Sequence, residues 1–334
     1  MWGIIGHHQA ITQLENSLQQ GTLAHAYLFT GPRQIGKRSL AIRLAQAVNC
    51  DSGQDPCNAC TSCHRISKAI HADVQVIDLV AGEKRDIGIQ QVHDMQTAAH
   101  LPPYEGKHRV FIIDNVERLS HEAANSLLKT LEEPLPRVLI ILLCSREGTL
   151  LPTILSRCQR LELKPVPIAL LRDTLVRDYA IDRGNAALLS RLSGGCPGWA
   201  IQAMSDDKLM TERTDRLRVL EEVSASGTLD RLAYAAELAT NFSKNRERVT
   251  DILSSWTQWW HDILLLKSSN NDLVTNIDYQ ESLRRQASTL DLRQVVGFIR
   301  CLQSTSRSLE QNANPRLALE LLMLRMPYTG VKAT

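Results

Sequence analysis

The stretch His25-Ala26-Tyr27-Leu28-Phe29-Thr30-Gly31-Pro32-Arg33-Gln34-Ile35-Gly36-Lys37 decides the reading of this chain. Ala26 to Thr30 is a short apolar run, the pattern of a strand buried on both faces. Gly31 to Lys37 then fits G-x-x-x-x-G-K. From Lys37 to Val48 the apolar residues Leu40, Ile42, Leu44, Ala45 and Val48 recur at helical spacing. A strand, a glycine loop and a helix in that order make the motif credible as a phosphate cradle. Backbone N–H groups and the helix amino terminus face the anion, and the lysine reaches the outer phosphates. Gly31, Gly36 and Lys37 are therefore candidate phosphate-binding residues.

The position after Lys37 breaks the pattern. A Ser or Thr hydroxyl is expected there to hold Mg²⁺, and the residue is Arg38. A guanidinium carries only donors and cannot ligate a cation. Ser39 comes one residue late, about 100° around the helix. The run Val110-Phe111-Ile112-Ile113-Asp114 looks like a Walker B strand, whose terminal Asp114 could hold magnesium. The residue after it, where a water-activating base is expected, is Asn115, which accepts no proton at neutral pH. Glu117 follows on an expected turn. With two catalytic roles unfilled, ATP/Mg²⁺ is expected to be turned over little or not at all; nucleotide binding without turnover stays open.

Working outward, strand-like runs at Asp73–Leu79, Arg109–Asp114, Val138–Cys144 and Arg160–Leu163 alternate with helical stretches, among them Ser120–Glu132. Such alternation implies an α/β fold with a parallel sheet covered on both faces. After Lys164-Pro165-Val166-Pro167 only helical periodicity remains: Ala169–Tyr179, Asn185–Leu192, Asp206–Ser224, Leu229–Thr240, Arg246–Ser268, Leu290–Leu309 and Arg316–Leu324. Gly194 to Gly198 reads as a break between helices. Boundaries fall near 165 and 207. Asn270–Asp278 is expected as a mobile loop. Trp256, Trp259 and Trp260 share one helical face and are expected in the core. His261-Asp262, Lys84-Arg85 and Arg284-Arg285 read as solvated surface.

Cys50, Cys57, Cys60 and Cys63 cluster within 14 residues. The two C-x2-C steps let thiolates converge on one ion, and the longer step closes a tetrahedral set. Four thiolates leave no open position, so a structural Zn²⁺ is favoured over buried thiols or an iron–sulfur cluster.

Composition narrows the function classes. The chain has 334 residues, 38 Lys plus Arg against 36 Asp plus Glu, and 43% hydrophobic residues. This is globular composition, with no disordered, collagenous or heptad signature. A formal net charge of +2 gives no global nucleic-acid signal, so DNA contact would be local or shared with partners. Aromatics at 4% argue against stacking platforms for single strands. Val138–Cys144 is far short of the ~20 apolar residues that span a bilayer. The opening MWGIIGHHQA has no basic segment followed by an apolar core. A cytoplasmic protein with no membrane partner is the expectation.

Several strings together resemble the delta-prime family of bacterial DNA polymerase III clamp-loader subunits, within the AAA+ superfamily. They are Ile4-Ile5-Gly6-His7, the four-cysteine insertion, Ala124-Asn125-Ser126-Leu127-Leu128-Lys129-Thr130-Leu131-Glu132-Glu133-Pro134, Leu151-Pro152-Thr153-Ile154-Leu155-Ser156-Arg157-Cys158, Ser193-Gly194-Gly195-Cys196-Pro197-Gly198-Trp199-Ala200 and Asn314-Pro315-Arg316-Leu317-Ala318-Leu319-Glu320. The resemblance implies a five-stranded AAA+ P-loop core over 1–165 with a zinc module at 50–63, a helical lid over 166–206 and an all-α collar over 207–334. It implies that Arg157 is an arginine finger acting in trans on a neighbouring subunit, and that Gly31, Gly36, Lys37, Arg38 and Asp114 form a degenerate nucleotide site. Its implied partners are gamma/tau motor and delta subunits in a hetero-pentameric ring, the sliding clamp, and primer-template DNA through the complex. The gamma/tau motor is similar in pattern but with an intact G-K-[ST] loop and an acidic pair after its Walker B strand. Arg38, Asn115 and Pro197-Gly198 favour delta-prime over it.

Overall fold

Residues 2–53, 55–79 and 86–329 are described by the computed structural model; Lys84-Arg85 lies outside them. Two units make up the chain, Met1–Ile181 with Ser193–Ala200, and Asp182–Leu192 with Ile201–Thr334. The first contains α1 (His8–Gln19), β1 (Ala26–Thr30), α2 (Lys37–Asn49), α3 (Thr61–Ser67), β2 (Val74–Ile77), α4 (Ile89–Ala99), β3 (Arg109–Ile113), α5 (His121–Glu132), β4 (Val138–Cys144), α6 (Pro152–Leu155), β5 (Gln159–Glu162) and α7 (Ile168–Tyr179).

The five strands pair in parallel in the order β2-β3-β4-β1-β5. Side chains alternate between two apolar cores. Tyr27, Phe29, Val110, Ile112, Ile141 and Leu143 pack with Leu14 of α1 and Leu40 and Leu44 of α2. Ala26, Leu28, Phe111, Ile113, Ile140 and Leu142 pack with Val92 and Met95 of α4 and Leu127 and Leu131 of α5. Burial on both faces explains why these strands read as unbroken apolar runs. Ser120 caps α5, its hydroxyl accepting from the Ala123 N–H at 3.1 Å.

The remaining helices are α8 (Arg183–Leu192), α9 (Pro197–Ser205), α10 (Asp207–Ala225), α11 (Thr228–Lys244), α12 (Arg246–Lys267), α13 (Gln280–Thr289), α14 (Leu292–Glu310) and α15 (Pro315–Arg325). Pro197 and Gly198 open α9 rather than lying in the break before it. Proline suits a first helical turn, where its missing N–H would have no partner.

In the second unit Trp256, Trp259 and Trp260 are buried together, as their spacing predicts. Trp260 meets Phe298 edge-on at 4.7 Å between ring centroids, and Trp259 Nε1 donates to Gln286 Oε1 at 3.0 Å. Asp262 was expected on the surface and is instead fully buried. It lies one helical step beyond Trp259, and its carboxylate accepts the backbone N–H groups of Thr275 (2.9 Å) and Asn276 (2.8 Å) and Asn276 Nδ2 (2.7 Å). Arg213 completes the network through Asn276 Oδ1 at 2.6 Å and a paired contact with Asp278. The stretch Asn270–Asp278, expected as a mobile loop, is tied to α12 and α10 by these bonds. No local sequence cue marks Asp262, because its partners lie 13 and 14 residues further on. Asp262→Ala would leave buried N–H donors unpaired, at about 3–5 kcal/mol. Denaturant unfolding of the chain should show that loss; a change below about 1 kcal/mol would contradict the network's role.

Candidate functional site: a phosphate loop with a carboxylate pair

The sheet changes its direction of winding at β1, which lies between β4 and β5. In open parallel sheets this opens a crevice at the carboxyl ends of the strands. The 31–36 loop leaves β1 there. Gly31 has φ +146°, and a Cβ on it would come within 2.3 Å of the Leu163 carbonyl oxygen, so only glycine fits.

Lys37 opens α2 and is 7% exposed. Its ammonium donates to Gly31 O (2.7 Å), Pro32 O (2.7 Å) and Ser145 Oγ (2.9 Å). Two of these bonds brace the loop, and the third reaches the end of β4. Ser145, just past β4, is thus a direct partner of the loop lysine. Burial pushes the Lys37 pKa down, opposed by the carboxylates of Glu117 and Asp114. Glu117 lies in a 3-10 turn, Val116–Arg118, and accepts the Ser145 N–H at 3.2 Å. The tertiary fold therefore brings Glu117 to the loop; sequence order alone left it on a turn.

Two further residues shape the loop. His7 Nε2 lies 2.9 Å from Ile35 O. Burial lowers the His7 pKa, so the ring is neutral at neutral pH with its proton on the nitrogen that meets the carbonyl. Nothing local in Gly6-His7-His8 signals this contact, which spans 28 residues. On the other side the Gly198 N–H donates to Gln34 O at 2.9 Å, and a Cβ at Gly198 would sit 2.7 Å from that oxygen.

Asp114 follows β3 directly, with its Oδ1 accepting the Asn115 N–H at 2.9 Å. A second carboxylate that sequence reading missed, Asp78 beyond β2, stands beside it. Asn115 Nδ2 donates to Asp78 Oδ1 at 3.0 Å, and Arg38 Nη1 lies 3.4 Å from Asp78 Oδ2 and 3.6 Å from Asp114 Oδ2. Burial and the charge of Asp78 raise the Asp114 pKa, partly offset by the Asn115 N–H, Arg38 and Lys37. The parallel register of β2 on β3, with Ile77 opposite Ile113, is what aligns these two carboxylates; a strand-to-strand relation of this kind is invisible in a linear motif. Ser39 is exposed on α2. P-loop ATPases hold Mg²⁺ with a loop hydroxyl and an acidic residue. The donor set here does not fit that ion, because a guanidinium occupies the hydroxyl's position and faces both carboxylates.

Arg157 follows α6. Its Nη1 donates to Thr153 O at 3.0 Å and to Ser156 Oγ at 3.3 Å, and its Nη2 pairs with Glu132 Oε1 at 2.7 Å. The Leu131-Glu132-Glu133 and Ser156-Arg157-Cys158 strings thus meet in space. About a third of the Arg157 side chain and half of Glu132 remain exposed.

The four clustered cysteines converge: the Sγ atoms of Cys50, Cys57, Cys60 and Cys63 all lie within 4.8 Å of one another. Thiolates about 2.3 Å from a central zinc stand about 3.8 Å apart, and Cys57 Sγ to Cys63 Sγ is 3.9 Å. The N–H groups of Cys60 and Cys63 point at Cys57 Sγ (3.3 Å) and Cys60 Sγ (3.4 Å), which favours thiolates. The donor set fits a structural metal ion such as zinc. The module is fastened to α2 and to the segment before β3: Gln46 Nε2 donates to Cys63 O at 2.8 Å, Lys107 Nζ to Cys50 O at 2.6 Å, and Asn49 Oδ1 accepts the Lys107 and His108 N–H groups at 2.8 Å each.

A glycine loop of P-loop form after the first of five parallel strands, beside an acidic strand end, defines a P-loop α/β scaffold. Comparison with known proteins narrows the class. Residues 6–167 match the family model described as DNA polymerase III, delta subunit. The chain is 26% identical to the DNA polymerase III tau subunit of Bacillus subtilis over 98% of its own length and 61% of that protein. It is 27% identical to the delta' subunit of the same organism, over 94% of each chain. Among solved structures, a gamma subunit-related protein of Thermotoga maritima covers 95% of the chain and 99% of its own, at 18% identity and a TM-score of 0.42. The chain spans about three-fifths of the tau relative. It belongs to the DNA polymerase III clamp-loader family.

Proposed function

We propose that the chain is a delta-prime-like subunit of the DNA polymerase III clamp loader: a largely non-hydrolysing stator that presents Arg157 to a neighbouring motor and helps load the sliding clamp onto primed DNA during replication. What carries this reading is the site chemistry. Arg38 stands where a magnesium-holding hydroxyl is needed, Asn115 stands where a base is needed, and Asn115 Nδ2 is spent on Asp78. In this reading the partners are gamma/tau and delta subunits in a hetero-pentameric ring in the cytoplasm, with primer-template DNA reached through the complex. Residues 1–165 act as the AAA+ core, 166–206 as its lid, and 207–334 as the collar that joins subunits.

A second reading, a gamma/tau-like motor, draws support from one observation: Glu117 lies at the loop, bonded to the Ser145 N–H and acting on Lys37. Steady-state hydrolysis by the purified chain separates the two. No turnover above background is expected. ATP hydrolysis by the isolated chain that Lys37→Ala abolishes would overturn the stator and favour the motor.

A further inference from the structure

The two departures from a working ATPase site are physically joined. The Arg38 side chain is about half exposed and turned toward the two acids. Its Nη1 faces one oxygen of each carboxylate, Asp78 Oδ2 at 3.4 Å and Asp114 Oδ2 at 3.6 Å. Asn115, the other departure, holds the remaining oxygen of Asp78 through its Nδ2 at 3.0 Å, while its backbone N–H holds Asp114 Oδ1 at 2.9 Å. Leu79 N–H also binds Asp78 Oδ1, at 2.8 Å. The outer oxygens of both carboxylates are thereby turned toward one guanidinium. Two carboxylates side by side need a cation. A guanidinium supplies a permanent charge and a planar fork of donors. Magnesium instead demands six oxygens at about 2.0–2.1 Å in octahedral array, whereas here a guanidinium nitrogen faces both acids.

We propose that the Arg38 guanidinium is the resident cation of the Asp78–Asp114 pair, standing in for a divalent metal, with Asn115 positioning Asp78 for it, so that a phosphate-bearing ligand binds this loop without metal. The loop remains able to take such a ligand. Two of the Lys37 donors brace it through Gly31 O and Pro32 O, and the third can exchange Ser145 Oγ for a phosphate oxygen. This role rests on the non-hydrolysing reading, yet the two fail separately: hydrolysis by the isolated chain sinks that reading, whereas metal-dependent binding without hydrolysis sinks only the role of Arg38.

The test uses the full chain with zinc present and Mn²⁺ as a paramagnetic probe, followed by electron paramagnetic resonance. The wild-type chain should bind no Mn²⁺ at this site. Arg38→Thr, which removes the guanidinium and supplies a hydroxyl, should gain one Mn²⁺ site with at least about tenfold higher affinity. Asp114→Asn in that background should lose it, and Arg38→Lys should behave as wild type. A wild-type Mn²⁺ site that Asp114→Asn removes would overturn the proposal, as would a folded Arg38→Thr chain that gains none. In a second arm, with zinc retained throughout, wild-type affinity for a fluorescent ADP analogue should be the same with added Mg²⁺ as in buffer without Mg²⁺. Enhancement by Mg²⁺ of about tenfold or more would overturn the proposal even if Arg38→Thr fails to fold. Failure of the analogue to bind under either condition would overturn the metal-free ligand role.

Discussion

Arg157→Ala is expected to lower ATP hydrolysis by the assembled clamp loader about 10³-fold or more at the motor site that this subunit would serve. A guanidinium offers planar, permanently charged donors that suit the spreading charge of a transferring phosphoryl group. The side chain has the freedom that the role requires. Its pairing with Glu132 is partly exposed on both sides, and such pairs are worth about 0–1 kcal/mol. Exchanging Glu132 for a triphosphate therefore costs little beside the roughly 4 kcal/mol that a 10³-fold effect represents. The bonds to Thr153 O and Ser156 Oγ hold the guanidinium near the end of α6, so it is ordered before a neighbour arrives. Glu132→Gln should accordingly change the assembled rate by no more than a few-fold. The measurement is steady-state ATPase of the reconstituted complex with clamp and primed DNA. An unchanged rate in Arg157→Ala, with assembly confirmed by sedimentation, would remove the finger role.

Disruption of the cysteine cluster should have the largest effect on stability. Structural zinc sites bind with about 10–16 kcal/mol apparent free energy, which is folding free energy because the unfolded chain holds no such site. A domain as a whole is stable by about 5–15 kcal/mol. Cys60→Ser should lower zinc from about one ion per chain to well below that and drop the melting temperature by about 15 °C or more. The effect should spread beyond residues 50–63, because Gln46, Asn49 and Lys107 couple the module to α2 and to the segment entering β3. Limited proteolysis after chelation should open that segment before the helical unit. Cys301→Ser, in the separate helical core, serves as control and should leave the zinc content unchanged. Elemental analysis that finds no zinc in the wild-type chain, or full zinc in Cys60→Ser, would end the metal reading.

Local sequence carried the three central strands because β1, β3 and β4 are buried on both faces, and such burial writes itself as an unbroken apolar run; the edge strands β2 and β5 are partly exposed. Val138–Cys144 is a strand over the same bounds that the sequence predicts. The phosphate loop and the cysteine spacing were equally legible, since each packs its chemistry into fewer than 15 consecutive residues. Other features depend on residues far apart in the chain. Asp78 joins the site only through the register of β2 on β3, Glu117 only through the end of β4, and Glu132 meets Arg157 across 25 positions. Asp262 reads as a surface acid until the backbone donors it serves are folded against it. Residue order thus determined which groups are present and which catalytic groups are missing. Tertiary structure decided where the remaining charges meet, because ion pairs and hydrogen bonds depend on distance in space, and separation along a chain does not report that distance.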